Sequence, residues 1–270
     1  MSKPAWPIIN LPNDASQQSR KFVNIYQRLL SLIPSEPVPI RNVVVGVHWT
    51  LVCSRSCGLS STVTGYGPHG HAKIRDVGTL HHKTANELAT WILSDNLLEA
   101  SIGMAALNSL INPDETKIVQ VNAAEIIGRE GLNKDVVIIG HFPFVENLKN
   151  TTRNCWVIEK NPFGEDFPED YAQEFVPKAN VVAITGTAFI NHSIENLLSL
   201  CRKNALVLIL GPSTPLTPIL FDYGVDYLSG ALVEDTQVAI DTITQGAILP
   251  QVKGIRLVSI TNGNKSNAPG

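Results

Sequence analysis

Short apolar runs rich in β-branched residues recur along the C-terminal half of the chain: Asp135–Ile139, Cys155–Glu159, Val181–Gly186 and Leu206–Gly211. Runs of this length and continuity suit strands buried on both faces. Each ends at glycine or polar residues, and helix-length segments separate them. Such strand–helix alternation predicts a parallel sheet in an α/β fold. Helices are expected near Glu169–Phe175, Ser193–Asn204 and Leu216–Tyr223, then a strand at Tyr227–Leu232 and a helix at Glu234–Gln245. Open parallel sheets bind ligands beyond the carboxyl ends of their strands. Those ends are Gly140-His141-Phe142-Pro143, Glu159-Lys160-Asn161-Pro162, Thr185-Gly186-Thr187 and Gly211-Pro212-Ser213-Thr214-Pro215.

The N-terminal half is patterned differently. Residues 1–20 carry prolines and little periodicity, which predicts an extended lead-in. Phe22, Ile25, Tyr26, Leu29, Leu30 and Ile33 recur at helical spacing, predicting a helix over Arg20–Ile33 that Pro34 ends. Arg41–Cys53 and Gly58–Thr64 read as strands with a turn near Ser54–Cys57, and Val43, Val45, Val47, Trp49 and Leu51 fit one face. Gly65–His71 reads as an irregular loop. Helices follow over Thr84–Leu93 and Leu97–Ile111, the second capped by Ser94-Asp95-Asn96 and stopped by Asn112-Pro113. This half is therefore a smaller α+β domain, joined through residues 113–133 to the parallel sheet. The expected boundaries are 1–130 and 131–261, with a disordered tail over 262–270.

Composition narrows the classes. The chain has 270 residues, enough for two domains, with 44% hydrophobic and 17% charged residues, as in ordinary globular proteins. A formal net charge of −3 without a basic run argues against nucleic acid as partner. No apolar segment reaches the roughly 18–20 residues that span a bilayer. The start, Met-Ser-Lys-Pro-Ala-Trp-Pro, lacks the apolar core of a secretory signal, and four scattered cysteines make no disulfide framework, so a cytoplasmic location is expected. A homo-oligomer is left open.

Candidate chemistry gathers at the strand ends. Gly140 and Glu159 are nineteen positions apart, close to the separation between the glycine turn and the ribose-binding acid of dinucleotide folds. Glu159 reads either as a hydroxyl acceptor or as a strand-end acid beside Lys160. The glycine fingerprint is missing, since His141, Phe142 and Pro143 stand where amides would approach a pyrophosphate. Gly211, Ser213 and Thr214 lie in a proline-stiffened polar loop suited to an anion or a carbonyl compound. Thr185 and Thr187 make a weaker version, equally readable as helix capping. His141 reads as a general acid or base, or as a histidine bonded to a carbonyl. On the Leu97–Ile111 helix, Glu99, Gly103 and Ala106 share one face, low enough for another backbone to approach. Glu99 either rims that contact as a site residue or complements the helix dipole. Closure of this face over the sheet edge would bring Glu99, His141 and Ser213/Thr214 around one pocket. Cys53, Cys57, His69 and His71 include zinc-like spacings but no firm pairing, and no structural zinc is expected.

Three ordered motifs carry a resemblance: Glu99-Ala100-Ser101-Ile102-Gly103-Met104-Ala105-Ala106-Leu107-Asn108, then Ile139-Gly140-His141-Phe142-Pro143-Phe144, then Gly211-Pro212-Ser213-Thr214-Pro215-Leu216. Over about Arg20–Gly246 the chain resembles the heavy-metal chelation family, which pairs an enolase N-terminal-like domain with a Rossmann-like domain. The resemblance implies handling of heavy metals, or synthesis of a chelator, at a cleft between the domains. Glu99, Asn108, His141, Thr187, Ser213 and Thr214 match its motifs. Enolase chemistry is not implied, because the barrel that carries it is absent. Two readings follow. One is an enzyme acting on a small polar or anionic metabolite or chelator precursor, with Glu99 or His141 handling protons and Phe142 lining the site. The other is a non-catalytic module that binds and delivers a metal chelate. No cofactor is named by the sequence.

Overall fold

The computed structural model describes residues 24–65, 73–119 and 122–263. The lead-in over 1–20, most of the Gly65–His71 loop and the tail from residue 264 lie outside these segments.

The N-terminal unit begins with α1 (Ile25–Leu30), whose start is fixed by Asn24: its side-chain oxygen accepts from the Tyr26 and Gln27 amides. Next come β1 (Asn42–Val45), β2 (Trp49–Cys53) and β3 (Cys57–Ser61), forming a three-stranded antiparallel sheet in chain order. The expected single strand over Arg41–Cys53 is in fact two. The chain reverses at Gly46-Val47-His48, where the Gly46 amide bonds the Trp49 carbonyl at 2.9 Å. Val47 is consequently 71% exposed rather than on a buried face. Helix α2 (Ala85–Ala89) opens on a reciprocal Thr84/Glu87 capping box and continues as a 3-10 turn to Leu93. Helix α3 (Leu97–Leu110) completes the unit.

The second unit contains β4 (Ile118–Val119), α4 (Ala123–Glu130), β5 (Asp135–Ile139), α5 (Val145–Lys149), β6 (Asn154–Glu159), β7 (Phe167–Pro168), α6 (Ala172–Phe175), β8 (Val181–Thr185), α7 (Thr187–Ile190), α8 (Ile194–Leu200), β9 (Leu206–Leu210), β10 (Tyr227–Val233), α9 (Thr236–Thr244) and β11 (Ile255–Thr261). They build one mostly parallel sheet, ordered β4-β11-β10-β9-β8-β5-β6-β7. From β7 to β10 the order is third, second, first, fourth, fifth, sixth, that of the doubly wound dinucleotide folds. Strand β11 returns antiparallel along β10, and β4 pairs antiparallel with β11. Neither strand is expected from the pattern, and nor is α4. The stretch read as a link instead carries a helix capped by Asn122, with Ile126 and Ile127 buried against the sheet.

Helix α3 holds the units together. Eleven of its fourteen residues are buried, so it has no solvent face and must be surrounded. Its small residues let backbone approach directly. A Cβ added at Gly103 would lie 2.2 Å from the Ile92 nitrogen, and one at Gly58 of β3 would lie 2.1 Å from the Ala105 carbonyl. The low face expected around Gly103 therefore receives the Trp91–Ile92 backbone, not the sheet edge. A single hydrophobic cluster runs from α1 and α3 into the sheet. Polar bonds cross the same boundary: Ile25 N–H to Glu195 at 2.6 Å, Tyr26 OH to the Phe189 carbonyl at 3.0 Å, Trp49 Nε1 to the Ala247 carbonyl at 2.9 Å and Ser61 N–H to Ser213 Oγ at 2.8 Å.

At the start of α3, Glu99 is only 3% exposed. The Arg75 guanidinium meets its carboxylate at 2.8 Å, the Arg75 amide donates to it at 2.9 Å and the Ser94 hydroxyl at 2.7 Å. The guanidinium also lies 4.7 Å over the Trp91 ring. Burial alone would raise the Glu99 pKa, but the Arg75 bonds and charge and the Ser94 bond outweigh it and hold the carboxyl below its usual range.

Gly103→Ala should cost about 2–3 kcal/mol through overpacking, read as a lower urea midpoint at unchanged m-value. Gly128→Ala, where the new Cβ meets only Leu148 at 3.8 Å, should instead stabilise by up to about 1 kcal/mol. For Arg75→Ala the expected signature is a pH dependence. A depressed carboxyl pKa gives stability that is fully present above the unfolded value of about 4.3 and lost as pH falls through the folded value. The wild-type advantage over Arg75→Ala should be larger at pH 7 than at pH 3; an equal advantage at both would mean that the ion pair is not its source.

Candidate functional site

The strand ends of the large sheet open on a crevice of about 340 Å³. Its wall combines the ends of β5, β6 and β8 with the segment before α6 and the α7–α8 corner. His141, Phe142, Glu159, Thr185 and Thr187 all line it. Gly140, at φ +100°, permits the sharp exit from β5; a side chain there would press on Thr185 and Phe142. The turn lets the Glu159 carboxylate accept the His141 amide at 2.7 Å and the Lys160 amide at 3.1 Å. The His141 ring places Nδ1 at 3.1 and 3.2 Å from the two carboxylate oxygens of Asp166, whose side chain is 5% exposed. Such a pair fixes the ring orientation and leaves Nε2 for a ligand. Thr185 and Thr187 share a hydroxyl bond at 3.0 Å.

A second cavity, of about 200 Å³, is lined by both units. The start of β3 and the end of α3 supply Cys57, Gly58 and Asn108, and the sheet unit supplies Thr214, after β9, and the end of β10. The Asn108 amide nitrogen donates to the Leu59 carbonyl at 3.0 Å. Its oxygen is buried and has no hydrogen-bond partner, and the same is true of the Thr214 hydroxyl. Thr214 is 2% exposed. A buried polar atom left unpaired costs about 1–3 kcal/mol, so native structures rarely keep two beside one cavity without a use for them. At the rim, Arg256 bonds Glu234 at 2.6 Å and Glu115 at 3.2 Å.

The remaining predicted residues lie elsewhere. Ser213 is buried and spends its hydroxyl on Ser61 across the unit boundary. Gly211 lines a third, largely apolar groove of about 450 Å³ that also takes in Phe142 and Phe144. Glu99 lines a separate groove beside Arg75 and Trp91. The single pocket expected around Glu99, His141 and Ser213/Thr214 is therefore not formed. The low face of α3 is filled by Trp91–Ile92, and the Glu99 carboxylate is consumed by Arg75 and Ser94.

Three groups were not anticipated. Asp166 stands twenty-five residues from His141 and meets it only through the β6–β7 connection. The rim trio of Glu115, Glu234 and Arg256 needs β11, which the pattern did not disclose. Cys53 and Cys57, facing partners across the β2–β3 pair, form a disulfide. The sequence offered no disulfide framework and the spacing read only as zinc-like; this one short-range bridge occupies both sulfurs of that pair. His69 and His71 fall outside the described residues. Among the described residues no three His, Cys, Asp or Glu side chains group as a metal site, and no helix is long and apolar enough to cross a membrane. Burial pushes the free Cys155 and Cys201 thiols up to about 11 and about 12, far from a reactive thiolate.

Comparison with known proteins agrees with this architecture. A solved structure of unknown function from the DUF364 family of Desulfitobacterium hafniense is similar with a TM-score of 0.77 at 25% identity, covering 88% of this chain and 97% of the other. A DUF364-family structure from Pyrococcus horikoshii, also of unknown function, gives 0.74 at 20% identity, covering 88% and 98%. An uncharacterized protein of Methanocaldococcus jannaschii is 22% identical over 178 residues, 63% of this chain and 68% of its own length. Two family models match in tandem, DUF4213 over residues 26–111 and DUF364 over 122–262, the latter spanning more than half of the chain. Both carry one description, so the chain belongs to the family described as "Putative heavy-metal chelation".

Proposed function

We propose that the chain is a small-molecule-binding protein whose ligand, a metal chelate, occupies the cavity lined by both units. One observation carries this: Asn108 and Thr214, from different units, both line this cavity, and each has a buried side-chain polar atom without a hydrogen-bond partner. The donor set bears on what the ligand is. An amide oxygen and a hydroxyl make a poor cage for a bare soft metal ion, which favours thiolate and imidazole. They are well suited to hydrogen-bond the N–H and O–H groups of an organic chelator. At the rim two carboxylates share one guanidinium, an excess of negative charge. That balance favours a neutral or cationic complex over a free anionic metabolite. The cavity lining has no histidine, and its one cysteine is disulfide-bonded. These features support the binding and delivery module over the enzyme, with the metal as cargo.

Thr214→Val tests the reading, because it removes the unpaired hydroxyl at nearly constant shape. The ligand-free protein should gain about 1 kcal/mol, read as a higher denaturation midpoint. Thermal shifts should then be compared for nickel, cobalt and zinc ions alone, for histidine alone, and for their neutral or cationic histidine complexes. Complexes should stabilise the wild type more than their components do, and Thr214→Val should lose most of that shift. Bare ions that stabilise both proteins equally, together with a Thr214→Val variant less stable than the wild type, would defeat the proposal.

A further inference from the structure

We infer that the crevice at the strand ends is a second and separate site, which takes a phosphate-free nucleoside held by its ribose diol on Glu159. It shares no lining residue with the cavity between the units. The first argument is topological. The chain leaves β5 for β6 on one side, while β8 lies on the other, so the connections diverge and open the sheet edge where β5 and β8 are paired. Ligands of doubly wound sheets bind at this point. At about 340 Å³ the crevice is within the range of small-molecule sites.

The second argument is the carboxylate. Glu159 closes β6, the strand next to β5, where an acid meets the ribose hydroxyls in folds of this strand order. Its two oxygens are separately oriented by the His141 and Lys160 amides. Each oxygen accepts one of these bonds and keeps a further lone pair. Two adjacent acceptors at fixed spacing match two vicinal hydroxyl donors.

The third argument excludes phosphate. The amide that would greet a pyrophosphate after β5, that of His141, is already bonded to Glu159. Pro143 has no amide hydrogen, and the Val145 amide bonds the Phe142 carbonyl at 3.1 Å. Phe142 and Phe144 stack at 5.2 Å and add bulk where a close backbone approach is required. The field is wrong as well: Glu159, Glu169 and Asp170 line the crevice, and Lys160 is ion-paired with Glu169. A neutral or cationic nucleoside suits this charge; a nucleotide does not. Ile158, Ala172 and Leu197 offer apolar contact for a base.

Calorimetric titration of the whole protein with adenosine, guanosine, cytidine and uridine tests the assignment. At least one should bind, with its 2′-deoxy and 5′-monophosphate forms each roughly tenfold weaker or worse. That fold-change corresponds to about 1.4 kcal/mol. Glu159→Gln should weaken the ribonucleoside about tenfold and the 2′-deoxy form, which keeps only its 3′-hydroxyl on the carboxylate, by markedly less, which a merely structural role would not do. The deoxy comparison needs no variant, so the test stands even if Glu159→Gln fails to fold. Absence of binding by all four, equal or tighter binding of the monophosphate or of NAD, or equal loss of both sugar forms in Glu159→Gln would each overturn it. Because the two cavities are separate, this result is independent of the chelate titrations.

Discussion

Everything in this molecule is arranged around a helix that cannot face water. Helix α3 is buried nearly all round, so folding must surround it: the antiparallel hairpin on one side, the α2 turn on another and α7 of the sheet unit on a third. Close approach is possible because Gly103 and Gly58 leave no side chain at the two tightest crossings. Such crossings exchange conformational freedom for dispersion contacts at near-crystalline density. The same requirement welds the two units, since α3 also packs on α7 of the other unit.

The sheet was legible because its buried parallel strands are short continuous apolar runs, rich in β-branched residues and bounded by glycine or polar residues. Asp135–Ile139, Val181–Thr185 and Leu206–Leu210 fall where the pattern put them. Strand β11 was not legible: Arg256 sits within it and Leu257 is 62% exposed, so no clean period survives. At Val47 the failure ran the other way. An apolar residue kept the alternation going through a turn that Gly46 makes, and only the carbonyl of Trp49 reveals the reversal. Helix α4 is amphipathic but only eight residues long with two buried, so its segment passed for a polar link.

Site residues divide along similar lines. His141, Phe142, Glu159, Thr185 and Thr187 share a crevice because strand ends of a parallel sheet are neighbours by construction, a fact available from strand order alone. Asn108 and Thr214 come to line one cavity through the packing of α3 on the hairpin and sheet, which no spacing encodes; motif resemblance marked them, and each has a buried side-chain polar atom without a partner. Glu99 shows the limit of local reasoning. Its helix position suited a rim residue, yet a partner twenty-four positions earlier captured it.

The shared core also determines how the cavity between the units can work. Hinged binding proteins close two lobes around a guest and trade affinity against the work of closing. Here a continuous hydrophobic cluster and bonds such as Trp49 to Ala247 and Tyr26 to Phe189 fasten the lobes before any guest arrives. The cavity is therefore a rigid gauge rather than a jaw. Its rim is tied in the same way, with Arg256 bonding Glu115 and Glu234 together, so on the proposed reading a guest would be selected by whether it fits dimensions that folding has already set.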